Sequence, residues 1–147
     1  MIEEALVNHL TSIVTPVPVY YSAIPQSVST RPVVVVEPPS SFDMGNTAVR
    51  TVPQKLSRFC IAIYGTTQSS LISPREAIFT FLNGIAAGSS QTQIGPYRCQ
   101  SIIIEDVEAS SIEVKNQVND RRQPGADQQA FAYCYIHCFA SYHRNPL

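Results

Sequence analysis

The spacing of hydrophobic positions changes along the chain, and each spacing predicts an element. Ile2, Leu6, Leu10, Ile13 and Val14 recur at helical intervals, so the first stretch predicts an amphipathic helix. Glu3 and Glu4 fall in its first turn, where the helix dipole favours negative charge. Pro16 and Pro18 end it, because proline has no N–H to continue the ladder. A short extended piece follows at Val19-Tyr20-Tyr21, then a polar loop bracketed by Pro25 and Pro32. Val33 to Val36 are four consecutive valines, β-branched and without alternation, which predicts a strand covered on both faces. In the strand predicted at Arg58–Tyr64, Phe59, Ile61 and Ile63 face one way. Arg58, Cys60, Ala62 and Tyr64 face the other.

Ser73-Pro74-Arg75-Glu76 reads as a helix start. Ser73 would be the N-cap, Pro74 the first helical residue and Glu76 the partner in a capping box. Ile78, Phe79, Leu82, Ile85 and Ala86 form the apolar face, and Gly88 is placed to close the helix. Gly84 inside it costs about 1 kcal/mol against alanine, which suggests a close backbone contact there. Three more strands are predicted after Gly95-Pro96: Tyr97–Glu105, Ser111–Val118 and Ala130–Tyr142. The order of elements predicts one α+β domain over 1–147, a mostly antiparallel sheet packed against two helices. Polar stretches at 40–53 and 119–129 read as long loops, the first with a Gly45-Asn46 turn that also suits a hairpin tip.

Composition narrows the function. The 147 residues suffice for one domain with its own core and require no disulfide or metal staple. A net charge of −1 argues against gripping nucleic acid through charge. No apolar run approaches the ~18–20 residues of a membrane-spanning helix, and the acidic start Met1-Ile2-Glu3-Glu4 does not read as a signal peptide. Charged residues are only 14%, against about 25% in ordinary soluble domains. Arg outnumbers Lys eight to two. Both features suit a surface largely covered by other subunits, where Lys is depleted and Arg tolerated.

The candidate chemistry is sparse. Cys134 and Cys138 share a strand face about 13 Å apart, too far to bind one zinc ion or form a disulfide with each other. With Ala132, Ile136 and Ala140 they form a small apolar face suited to lie under a helix; Cys60 and Cys99 stand alone. No catalytic residue, metal set or cofactor motif emerges: the nucleophile elbow, HExxH, phosphate loop and dinucleotide fingerprint are all absent. Glu105, Asp106 and Glu108 read as a solvated turn at a strand end, and Arg121-Arg122 as a solvated loop or a contact to a partner. The other face of the last strand is an aromatic ladder, Phe131, Tyr133, Tyr135, His137 and Phe139. Either a neighbouring subunit covers it or the loop at 40–53 folds over it.

The order and character of these segments resemble the small tail-completion, or tail-terminator, proteins of long-tailed bacteriophages, which join head to tail. The resemblance runs over nearly the whole chain. It rests on the N-terminal helix, Val19-Tyr20-Tyr21 leading to Ile24-Pro25-Gln26, Arg31-Pro32 into the four valines and Glu37, Arg58 to Gly65 leading to the helix after Ser73, and the late strand 130–142. The polar insert at 119–129 is less typical. The resemblance implies a non-enzymatic virion protein in the tail and neck, assembled in the host cytoplasm. Six copies would form a homo-oligomeric ring that caps the tail-tube protein and joins it to the head–tail connector. Genome DNA would pass through the lumen without specific binding, and no cofactor or membrane would be involved. Phe131, Tyr133, Tyr135, His137 and Phe139 are then the candidate subunit interface, and Arg121 and Arg122 a partner-contacting loop. The alternatives are a tail-tube or neck subunit of similar fold, or a small cysteine- or metal-dependent enzyme.

Overall fold

In a computed structural model, residues 2–37, 46–47, 54–86, 92–109 and 132–144 are described. Helix α1 spans Ile2–Ile13 and places Ile2, Leu6 and Leu10 fully inside, as their spacing requires. At its C-terminal end the hydroxyls of Thr11 and Thr15 donate to the carbonyls of Val7 and Thr11 at 2.7 and 2.6 Å. Strand β1 (Val19–Tyr21) pairs in parallel with β2 (Val33–Glu37), the one parallel ladder among the described strands. The short β3 (Asn46–Thr47) and long β4 (Gln54–Gly65) are antiparallel partners, so part of the stretch 40–53 is a hairpin arm. The remainder of that loop lies outside the described residues, as do the predicted strand 111–118 and the loop 119–129.

Helix α2 (Ile72–Ala86) corrects the sequence reading of its start. A 3-10 turn, Ser69–Leu71, runs straight into it, so Ser73 lies within the helix and is not its N-cap. The turn that leads into it is closed by reciprocal bonds: the Ser70 N–H donates to Oγ1 of Thr67 at 3.2 Å, and Oγ of Ser70 donates to the Thr67 carbonyl at 2.6 Å. Gly65 makes this turn possible, since a Cβ there would sit 2.3 Å from Oγ of Ser70 and 2.8 Å from Cδ2 of Leu71. Gly84, by contrast, has nothing within 4 Å of an added Cβ; the close contact expected there is absent.

Strands β5 (Thr92–Ile94) and β6 (Tyr97–Ala109) form a hairpin across Gly95-Pro96, and β7 (Ala132–Arg144) returns between β6 and β4. The sheet order is β1-β2-β4-β7-β6-β5, with β3 beside β4. The fold is thus the α+β arrangement that the sequence predicts. The inner face of the sheet holds Val34, Val36, Phe59, Ile61, Ile63, Cys134, Ile136 and Cys138 in one core with α1 and α2. A smaller second core lies on the outer face, where Ile24 and Val28 pack over Val33, Val35, Ala62, Tyr64 and Tyr135. The four valines are buried on both faces for this reason.

Candidate subunit-contact face

The outer face of β4, β7 and β6 gathers most of the residues that the sequence singles out. In register, Ala62 lies beside Tyr135, Cys60 beside His137, and Arg58 beside Phe139, with Ile103 of β6 on the far side of Phe139. The aromatic ladder is divided. Tyr135 is only 5% exposed. It stacks on Tyr133 at 4.7 Å and meets the edge of Tyr64 at 5.8 Å. Its cover is the connection between β1 and β2, through Ile24 and Val28. A parallel pair needs a crossover, and here that crossover crosses the outer face. Tyr135 is therefore internal core, with half-buried Tyr133 packed against it. His137 and Phe139 remain half-buried, and Ile103 is 52% exposed beside them. Phe131, Arg121 and Arg122 lie outside the described residues.

Charged side chains frame the uncovered part. The Arg58 guanidinium lies 4.7 Å above the Phe139 ring centre and donates from Nε to Oε1 of Glu105 at 3.0 Å. A second bond runs from its terminal nitrogen to Oε2 at 3.4 Å. Nε2 of His137 and Oε1 of Glu108 are 2.9 Å apart. On the β2 side, the Tyr64 hydroxyl donates to Oε2 of Glu37 at 3.2 Å. Glu105, Asp106 and Glu108 therefore stand on strand β6 and not in a turn, a correction to the sequence reading. A register shift between Ile104 and Asp106 lets two acids face the single position of His137. Arg58 falls on this face by alternation, but nothing in the sequence gives it a role. Alternation within β4 revealed its side, whereas its partner on β6 depends on a register that only the folded sheet supplies.

Three of the four thiols are enclosed, and Cys60 is half-buried on the outer face. Cys99, Cys134 and Cys138 are buried on the inner face, and burial pushes the Cys99 thiol up to about 12. Burial raises Cys138 as well, and Cys134 despite the neighbouring Arg75. All four cysteines are free, and among the described residues no three His, Cys, Asp or Glu side chains converge on a metal-sized site. A groove of about 500 Å³ runs between α1 and the β5–β6 turn, lined by Glu4, Asn8, His9 and Tyr97. Among the described residues no helix is long and apolar enough to cross a membrane.

No protein-family model matches the chain, and no curated protein does. Among solved structures it is similar to a chain from the virion of a native gene transfer agent particle. The TM-score is 0.52 at 14% identity, and the match covers 97% of this chain and 91% of that one. The two chains share a fold over almost their whole lengths.

Proposed function

We propose that this chain is a structural protein of a phage-like virion and serves as a tail-completion subunit. Six copies close a ring at the head-proximal end of the tail tube, contact the tube on one side and join it to the head–tail connector on the other. The protein is non-enzymatic and acts through shape and surface complementarity, while genome DNA passes through the lumen without specific binding. Its place is the tail and neck of the virion, after assembly in the host cytoplasm. The observation that carries this reading is the near end-to-end fold correspondence with a chain of a gene transfer agent virion. The low charged fraction of 14% agrees with a surface that assembly covers. The uncovered part of the outer face, with His137, Phe139 and Ile103, is the surface through which a neighbour is met; Tyr133 and Tyr135 adjoin it on the same face, beside the β1–β2 connection. Arg121 and Arg122 reach a partner from the stretch 119–129.

The test is the mass of the purified chain by light scattering over a concentration series, with electron microscopy of the largest species. A closed ring of six chains of 16.2 kDa supports the reading. Long stacks of rings would point to a tube subunit, and a strict monomer at every concentration would count against a self-assembling ring.

A further inference from the structure

The connection from β1 to β2, residues 22–32, lies over the outer face as a strap, and few contacts fasten it. Of its eleven residues only Ile24 is buried, and seven are exposed. Both ends are pinned to the sheet. The Ser22 N–H donates to the Val36 carbonyl at 2.9 Å, and the Val34 N–H to the Pro18 carbonyl at 2.9 Å. Between these pins the hydrogen bonds stay local. The Ala23 N–H donates to the Tyr21 carbonyl, the Val28 N–H to that of Pro25, and the Arg31 guanidinium to those of Val28 and Thr30. Among the described residues none of them reaches β4 or β7. Ser22 has a φ of 74°, in the left-handed region that residues with a Cβ seldom enter, so the chain leaves β1 at a sharp corner. Beneath the strap is the small second core, where Ile24 and Val28 pack over Val35, Ala62, Tyr64 and Tyr135. The main core, with α1 and α2, is on the other side of the sheet. The pairing of β4 with β2 and β7 needs nothing from the strap.

We propose that residues 23–31 lift from the outer face as a unit while the sheet and the main core stay folded. Side chains alone, Ile24 foremost, fasten the middle of the strap, and it swings on Ser22 and on the start of β2. A segment with few buried contacts and no hydrogen bonds to the body beneath it opens at a smaller free energy than the whole domain. Lifting breaks no ladder bond of the sheet. It exposes Ile24 and part of Val28, and it returns conformational freedom to the strap backbone. Tyr64, Tyr133 and Tyr135 then join Phe139 and Ile103 in one aromatic and apolar surface across β4, β7 and β6. A neighbour that binds this larger surface selects the lifted form. The strap therefore sets how much of the contact face is available. This last consequence rests on the ring reading above, in which the neighbour is a second copy; the lifting itself does not.

Thiol labelling, read by peptide mass spectrometry, tests the lifting. In a Cys60→Ser background, Ala62→Cys or Val35→Cys places one thiol beneath the strap, and Cys134 on the inner face of the same sheet is the internal reference. Thermal unfolding checks that each variant folds, and each rate is divided by that of the same thiol in the urea-unfolded chain. The strap thiol should react at least about tenfold faster than Cys134. Its rate should barely change in low urea, because lifting exposes little surface, whereas that of Cys134 should rise steeply with global unfolding. Ile78→Val in the main core should speed Cys134 several-fold and leave the strap thiol unchanged, because Ile78 stays packed when the strap lifts. Ile24→Ala should speed the strap thiol by about tenfold or more. A strap thiol that keeps pace with Cys134 in rate and urea dependence, or that responds to Ile78→Val as Cys134 does, overturns the lifting. An unchanged strap rate in Ile24→Ala overturns Ile24 as the fastener. By light scattering, Ile24→Ala should associate at lower concentration than the native chain. Equal association, or a native chain that is monomeric at every concentration, overturns the consequence for assembly and leaves the labelling result standing.

Discussion

Arg58 and Phe139 meet across the β4–β7 ladder, with the guanidinium carbon 4.7 Å above the ring centre, and from there Arg58 reaches over β7 to Glu105 on β6. One side chain thus bridges three strands and lays a charge over an aromatic surface that would otherwise be bare. Both ends of the ion pair are substantially solvated, so the pair itself is worth no more than about 1 kcal/mol. Arg58→Ala is expected to lower unfolding free energy by about 1 kcal/mol or less in urea titration, while exposing more of Phe139. The consequence should therefore appear in self-association and solubility more than in stability.

The division of the aromatic ladder should separate folding from the proposed assembly. Tyr135→Ala removes a buried ring between Tyr64, Tyr133 and Ile24, and should cost about 3 kcal/mol or more. Phe139→Ser should leave the denaturation midpoint nearly unchanged and reduce the mass of the assembled particle. Urea denaturation and light scattering on the two variants give both readouts. A stable Tyr135→Ala protein would contradict the internal position assigned to that ring.

Glu3 and Ser57 form the buried polar pair of the main core. Oγ of Ser57 donates to Oε1 of Glu3 at 3.0 Å, and both residues are fully enclosed. Among the described residues Oε2 of Glu3 has no hydrogen-bond partner. Ser57→Ala strands the other oxygen as well and should cost about 1–3 kcal/mol. Replacing both, Glu3→Leu with Ser57→Ala, removes the unmet demand and should recover part of that loss. A double-mutant cycle in denaturant measures the coupling.

Two glycines should respond in opposite directions. Gly65→Ala forces a methyl group into Ser70 and Leu71 and is expected to destabilise the fold by about 1–3 kcal/mol. Gly84→Ala meets open space on an exposed helical turn and should stabilise it by up to about 1 kcal/mol. Thermal denaturation of the two single variants decides the signs.

The buried thiols set an alkaline limit. Cys99 is pushed up to about 12 in the fold from its ordinary value of 9.0, so the native state holds a proton that the unfolded chain releases. Below the ordinary value both states are protonated and nothing is lost. As pH rises from about 9 toward 12, unfolding gains proton release and stability falls. Cys134 and Cys138 shift in the same direction. Denaturation midpoints between pH 8 and 10.5 should decline, and less steeply in Cys99→Ala. In the native protein at pH 8, a thiol reagent should label half-buried Cys60 first and the other three cysteines only on unfolding.

The sequence by itself determined what depends on neighbours along the chain. Helical spacing placed Ile2, Leu6 and Leu10 inside, alternation assigned the faces of β4 and β7, and four β-branched residues in a row marked β2 as covered on both sides. These follow from the fixed periods of helix and strand. Even local chemistry misled where two signals competed: Ser73 has the form of an N-cap, but Thr67 and Gly65 start the turn earlier and the helix runs through it.

Only the tertiary structure decided which segment covers which face. Arg58 and Glu105 are 47 positions apart, and Ser57 and Glu3 are 54. Such pairs form only after strand order, register and bulge position are set. Whether the aromatic ladder is core or surface likewise turned on where the β1–β2 connection crosses the sheet, with Ile24 closing over Tyr135 and leaving Phe139 half-covered. Periodicity shows that a face is apolar. What covers it is a property of the chain path, because burial is shared among segments that are distant in sequence.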